Sequence, residues 1–185
     1  LARHLDKRAT GPSPELDLMS GVTAAMGETS AARVYLGRAA KGLTTHRAIA
    51  LLWLGRFEER NANLVAAADA FRGVLNASPD PATGAAAELG LARTELAQSA
   101  GAAVQRLEPL RERLPASVRW EAELLLSRAY AIAGRRNDVV PTLRRALAAA
   151  ADASDPDIAV ARIARDLALE VDHRPRKVRL VAAGG

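Results

Sequence analysis

Apolar and small residues recur along this chain at a constant lag of 36 positions. Four such series share this spacing: Leu54, Gly90 and Leu126; Ala67, Ala103 and Val139; Phe71, Leu107 and Leu143; Val74, Leu110 and Ala146. A fixed lag of this size is typical of stacked helix–turn–helix units. The pattern therefore predicts an all-α fold of antiparallel helical hairpins.

Proline and capping residues divide the chain between these apolar positions. Asp80-Pro81 is the clearest example, because Asp caps a helix and Pro is tolerated at its first position. Helices are predicted over residues 15–26, 31–41, 46–60, 64–77, 82–98, 101–114, 118–134, 137–151 and 155–170. Pro109 inside the sixth predicts a kink or a shortened helix. In the faint first hairpin, Ala31 and Tyr35 fall near the repeat positions.

These elements predict three segments. Residues 1–13 are interpreted as a linker or ragged N-terminus, 14–170 as the helical repeat domain and 171–185 as a basic tail. The last helix is expected to cap the array through an apolar stripe of Ile158, Ala161, Ile163 and Leu167. The tail alternates like a strand, so it pairs with another chain, leads to a further domain or is disordered. Because the chain begins with Leu1, we expect it to be part of something longer.

The composition limits the kinds of catalytic, metal-binding and membrane-spanning function that are expected of the chain. The chain has no cysteine, which excludes disulfides, thiolate catalysis and Cys-bound metal but leaves the compartment open, with the cytoplasm slightly favoured. No run of 18 apolar residues occurs, so no membrane span is expected. The three histidines, His4, His46 and His173, lie far apart, and no nucleophile, metal or phosphate-loop motif is present. Adjacent Glu58 and Glu59 point apart on a helix, so we expect no enzyme and no cofactor.

The net charge of +5 points to nucleic acid as a second candidate partner. Acidic and basic residues balance over 46–117, and the excess of basic residues lies in the N-terminal part, the third repeat and the tail. The residues that would favour nucleic acid are Arg135, Arg136, Arg144, Arg145, Arg174, Arg176, Lys177 and Arg179. Only 3% of the chain is aromatic. Because base-stacking platforms are lacking, such binding would be weakly specific and salt-dependent, and nucleic acid is the less favoured partner.

The repeat resembles the tetratricopeptide repeat (TPR) over residues 15–151. The best match carries Leu54-Gly55 in its first helix, Ala67 and Phe71 in its second and Pro79 at the end. The 36-residue lag exceeds the usual length of about 34 in that family. The resemblance implies a right-handed α-solenoid of three to four repeats plus the C-terminal capping helix. It also implies a concave face that holds a peptide or partner domain.

Placing the sequence on that fold predicts an inner face that carries both acidic and basic residues. The candidate partner-binding residues are Arg56, Glu59, Arg60, Glu88, Glu95 and Arg128. Their apolar neighbours on this face would be Ile49, Leu52, Ala92, Leu96, Leu124 and Ile132. The same residues could equally form an ordinary solvated face with Glu–Arg pairs. Trp53 and Trp120 could anchor a partner, although packing roles are favoured for both.

The function expected from these features is that of an adaptor or scaffold domain that binds a protein or peptide. The alternatives are a regulatory or sensor domain of a signalling or transcription-regulating protein and a weakly specific nucleic-acid-binding array. The identity of the partner and the oligomeric state are left open.

Overall fold

The computed structural model of the chain describes residues 13–42 and 44–172. This part of the chain is 84% helical, with nine α-helices and no strand, so the all-α prediction is confirmed. The helices are α1 (Pro14–Met26), α2 (Ala31–Lys41), α3 (Thr44–Arg60), α4 (Leu64–Asn76), α5 (Pro81–Gln98), α6 (Ala100–Leu110), α7 (Ala116–Ile132), α8 (Arg136–Ala149) and α9 (Pro156–Asp172). The predicted tail lies outside the described residues apart from its first two positions, which extend α9.

Local sequence explains where several helices begin and end. Ser13 Oγ accepts the amide N–H of Leu16 at 3.2 Å, so α1 is capped as predicted. Asp80 Oδ1 accepts two amide N–H groups at 3.0 Å at the start of α5. Of the two outcomes predicted for Pro109, a kink or a shortened helix, the structure shows the shortened helix. Helix α6 ends at Leu110, four residues before the predicted end.

The chain divides into two compact units, Leu1–Ala103 and Val104–Gly185, with the division inside α6. In the first unit each helix from α1 to α5 packs against the next, and α3 also contacts α1 and α5. In the second unit α7 packs against α8, and α9 contacts both. The sequence pattern had predicted one array over 14–170 and contains no signal for this division.

The repeated apolar positions form the core. Every residue of the four series is buried except Leu54, which is partly buried and packs beside Phe57. The first hairpin uses Ala32, Leu36 and Ala39, all fully buried. These residues lie one position later than expected, because the lag from this hairpin to the next is 35 and not 36.

Phe71 of α4 belongs to a core cluster of the first unit and is fully buried. Two glycines on the flanking helices make room for its ring. A Cβ atom at Gly55 of α3 would lie 2.6 Å from Phe71 Cε1, and one at Gly90 of α5 would lie 2.5 Å from Phe71 Cζ. Since real Cβ atoms do not approach so closely, glycine at both positions sets how near α3 and α5 come to α4.

Three of the turns between helices share one conformation. The residues at their left-handed positions are Glu28, Ala62 and Gly134, with φ of 55°, 59° and 77°. The residue after each donates its N–H to a carbonyl five positions back, at 2.9, 2.9 and 2.8 Å. This is the Schellman motif that ends helices. The α5–α6 turn differs, because its single linking residue, Ser99, is extended.

The predicted apolar stripe of α9 is partly wrong. Ile163 is fully buried as expected, but Ala159 is its buried companion, whereas Ile158 is 55% exposed and Ala161 is exposed. The reason is a polar contact that the apolar pattern does not contain. Asp166 binds Arg128 of α7 through two hydrogen bonds of 2.5 and 3.1 Å, which sets the rotation of α9.

Candidate protein-binding groove

An open groove in the first unit contains three of the six predicted partner-binding residues. It has a volume of about 470 Å³, and its lining residues are Trp53, Arg56, Glu59, Arg60 and Arg93. Residues three, four and seven apart share one helix face, which brings together the four side chains from α3. Arg93 comes from α5.

Trp53 forms the apolar part of this groove. Its side chain is partly buried and packs against the core cluster of Ala25, Ala32, Leu36 and Phe57. The Arg56 guanidinium lies 5.7 Å from the centroid of the Trp53 ring, within cation–π distance. The ring is therefore held by packing below, with an exposed arginine beside it.

Glu59 and Arg93 join the two helices that line the groove. Arg93 Nε donates to Glu59 Oε1 at 2.6 Å, and Arg93 Nη2 donates to Glu59 Oε2 at 3.1 Å. Both side chains are mostly buried, with 22% and 28% of their surface exposed. Two parallel hydrogen bonds fix both position and orientation. The arrangement keeps α3 and α5 in register on this side of the unit.

Arg60 reaches the opposite neighbour, α1. Its Nη2 donates to the Ala25 carbonyl at 2.8 Å near the C-terminal end of that helix. A cation near a helix C-terminus is favoured by the helix dipole. Among the residues that the structure describes, this carbonyl is the one acceptor of Arg60, and no carboxylate lies within ion-pair distance.

Glu58 points away from this groove, as the sequence predicted for adjacent helical acids. Its carboxylate is buried and accepts two hydrogen bonds from Arg33, at 2.6 and 2.7 Å, and one from Asn63 Nδ2 at 2.7 Å. The hydrogen bond from Arg33 is the main reason that the pKa of Glu58 is lowered. Arg33, Glu58 and Asn63 line a separate open cavity of about 590 Å³ at the start of α4.

The other candidates lie elsewhere. Glu88 and Glu95 are partly buried on α5 and do not line the groove. Arg128 belongs to the second unit, where both its hydrogen bonds go to Asp166. Three apolar residues assigned to the inner face, Leu52, Ala92 and Leu124, are core residues with 7% exposure or less. Sequence projection did not separate this face from the core because both follow the same helical period.

Two lining residues were missing from the predicted binding set, Trp53 and Arg93. Trp53 had been considered as an anchor but was favoured as a packing residue; it packs and lines the groove at once. Arg93 lies 34 residues after Glu59, close to one repeat length, and this spacing was the available signal. Trp120, by contrast, is 9% exposed, and Arg162 covers its ring at 5.2 Å.

Part of the basic cluster of the third repeat is bound internally. Arg135 donates to Asp138 at 2.8 Å and to Glu108 at 3.1 Å, and Arg145 donates to Glu123 at 3.2 Å. Arg136 and Arg144 are exposed. The four basic residues of the tail lie outside the described part of the chain.

Residues 13–42 and 44–172 contain no group of three His, Asp or Glu side chains placed to hold a metal ion. His46 lies 3.8 Å from Glu15, and His4 and His173 fall outside the described residues. No helix in the described part of the chain is long and apolar enough to cross a membrane. No protein-family model matches this chain, and comparisons with curated proteins and with solved structures also found no match.

Proposed function

We propose that this protein is a non-enzymatic interaction module that binds a segment of a protein partner in the groove formed by Trp53, Arg56, Glu59, Arg60 and Arg93. The observation that carries the proposal is the combination of one partly exposed tryptophan with fixed charged groups around it. Tryptophan and arginine are the residues on which interface energy most often depends.

The groove is suited to binding because it is already ordered. The Glu59–Arg93 pair, at 2.6 Å, holds α3 and α5, and Arg60 ties α3 to α1. A partner would therefore not have to order these side chains at the cost of their conformational freedom. The groove is also open, which favours an extended or helical peptide over an enclosed small molecule.

We further propose that the hairpins within each unit stack with right-handed, TPR-like geometry. The support comes from the buried series at a lag of 35 to 36 residues and from the shared turn conformation at Glu28, Ala62 and Gly134. Repeats of this kind bury their apolar faces against their neighbours and leave a side surface for a partner.

A random peptide library displayed on phage tests the binding function. We expect the full chain to enrich a family of related peptides that bind with about micromolar affinity, as in many weak, transient interfaces. Trp53→Ala should abolish this binding. Because Trp53 also packs on the core, Arg56→Ala provides a second groove variant at an exposed position, and binding should weaken there too.

Val65→Ala is the matched control, since Val65 is 71% exposed in the same unit but lines the other cavity. It should bind the selected peptides like the unmodified chain. Failure to enrich any peptide family would overturn the proposal. So would peptides whose affinity is unchanged by both groove variants.

A further inference from the structure

Basic groups outnumber acidic groups in the groove around Trp53. The lining contains three guanidinium groups, from Arg56, Arg60 and Arg93, and one carboxylate, from Glu59. The Glu59 carboxylate is bound by Arg93 at both oxygens. Among the groups that line the groove, guanidinium groups therefore outnumber carboxylates, and they lie next to an aromatic ring.

Glu58, the other acidic residue of this segment, does not offset the positive charge of the groove. Glu58 follows the neighbouring face of α3, and its two oxygens accept hydrogen bonds from Arg33 and Asn63. Arg60 is left with the Ala25 carbonyl, which accepts a hydrogen bond but carries no full charge. Of the three consecutive charged residues 58–60, the two acids have arginine partners, whereas the arginine has no acid within ion-pair distance in the part of the chain that the structure describes.

We infer that the groove selects acidic segments, in which an aspartate or glutamate side chain meets Arg60 and an adjacent apolar side chain packs on Trp53. This inference rests on the proposed function and adds the chemistry of the partner. Carboxylates suit an arginine fork because two N–H groups can donate to the two oxygens. Charge complementarity of this kind sets partner choice and association rate more than total affinity.

A protein segment fits the groove better than a nucleic acid strand. Proteins that bind single strands combine a continuous basic track with several aromatic rings on which bases stack. Here a single ring lines the groove. One ring cannot stack several successive bases, so the groove lacks the platform that a single strand needs.

Three fluorescently labelled peptide pools of about twelve residues, each retaining the same leucine and phenylalanine positions, test the inference. The remaining positions carry Asp and Glu, Asn and Gln, or Lys and Arg. Binding to the full chain is measured by anisotropy between about 0.05 and 0.5 M salt, with an oligouridine of similar length as a fourth probe. We expect the acidic pool to bind about tenfold more tightly than the neutral pool at low salt.

Arg60→Glu should remove this preference and improve binding of the basic pool. Arg60→Gln, which removes the positive charge but keeps a polar side chain at this exposed position, should also remove the preference, and its thermal unfolding checks that the fold is retained. Arg47→Glu is the matched control, because Arg47 is exposed on the same helix and lies about 20 Å away along its axis. It changes the net charge equally and should leave the preference intact.

Equal binding of the acidic and neutral pools would overturn the inference, as would a preference lost equally in Arg47→Glu and Arg60→Glu. Either result would leave the proposed function standing if phage-selected peptides still depend on Trp53. Tighter binding of oligouridine than of every peptide, together with loss of phage selection, would overturn both.

Discussion

Gly55 lies against the ring of Phe71 so closely that a Cβ atom on it would stand 2.6 Å from Phe71 Cε1. The contact joins the two helices of one hairpin, α3 and α4. It also places the face of α3 that carries Trp53, Arg56 and Arg60. The groove therefore depends on a glycine that does not touch it.

Gly55→Ala should destabilise the first unit by about 2 kcal/mol, as expected when a methyl group is forced into a packed core. The measurement is chemical denaturation of the full chain. Gly37→Ala is the control, because Gly37 is also helical and a Cβ there meets nothing within 4 Å. It should gain about 0.5–1 kcal/mol from helix propensity. If Gly55→Ala proved as stable as Gly37→Ala, the close approach would be refuted.

Phe71→Ala should cost about 3–5 kcal/mol, since the side chain is fully buried and its removal leaves a cavity between two helices. The loss is measured as a change in the denaturation midpoint at constant m-value. Val65→Ala, on the exposed face of the same helix, should change stability by less than about 0.5 kcal/mol. Similar costs for the two variants would mean that the repeat positions are not the core.

For one of the left-handed turn residues, a substitution is expected to increase the stability of the chain. Ala62 holds φ at 59°, where a Cβ costs about 1 kcal/mol, so Ala62→Gly should stabilise the chain by roughly that amount. Gly134→Ala should destabilise it by about the same. Thermal unfolding of the two single variants is sufficient. A loss of stability in Ala62→Gly would contradict the left-handed turn.

The Arg33–Glu58 contact predicts a pH dependence. Because its pKa is lowered in the fold, Glu58 adds stability that is complete above the ordinary Glu pKa of about 4.3. This stability is lost as the pH falls below that value toward the folded pKa. Arg33→Gln at neutral pH should lower the stability, because it removes the arginine that donates two hydrogen bonds to the buried Glu58 carboxylate.

A double-mutant cycle with Arg33→Gln and Glu58→Gln, measured at about pH 7 and about pH 3, isolates this contribution. The coupling between the two residues should be clearly stabilising at the higher pH and smaller at the lower one. A coupling that is unchanged, or that grows on acidification, would show that the ionised carboxylate does not carry the contact.

The helices and core were predictable because each rests on a local or periodic signal. Asp80-Pro81 marks a helix start by its own chemistry, and Phe71 and Leu107 repeat at a constant lag. The groove was predictable only in part. Arg56 and Arg60 share a helix face, which spacing alone indicates, but Leu52 follows the same period and is buried.

Apart from Arg93, which follows Glu59 by about one repeat length, the long-range polar partners were out of reach of a single sequence. No local pattern indicates that Arg60 reaches Ala25 or that Asp166 binds Arg128. These contacts depend on which helices are adjacent and on the rotation of each about its axis. The same limitation explains why Ile158 was predicted to be in the core and is exposed.

The most direct test of the central claim, that a protein segment occupies the groove at Trp53, is the fluorescence of that residue. The chain has two tryptophans, so Trp120→Phe leaves Trp53 as the sole reporter. Titration with a phage-selected peptide should produce a saturable change in emission that is strongly reduced when Arg60→Glu is added. Binding detected by anisotropy with no change in Trp53 emission would contradict the claim.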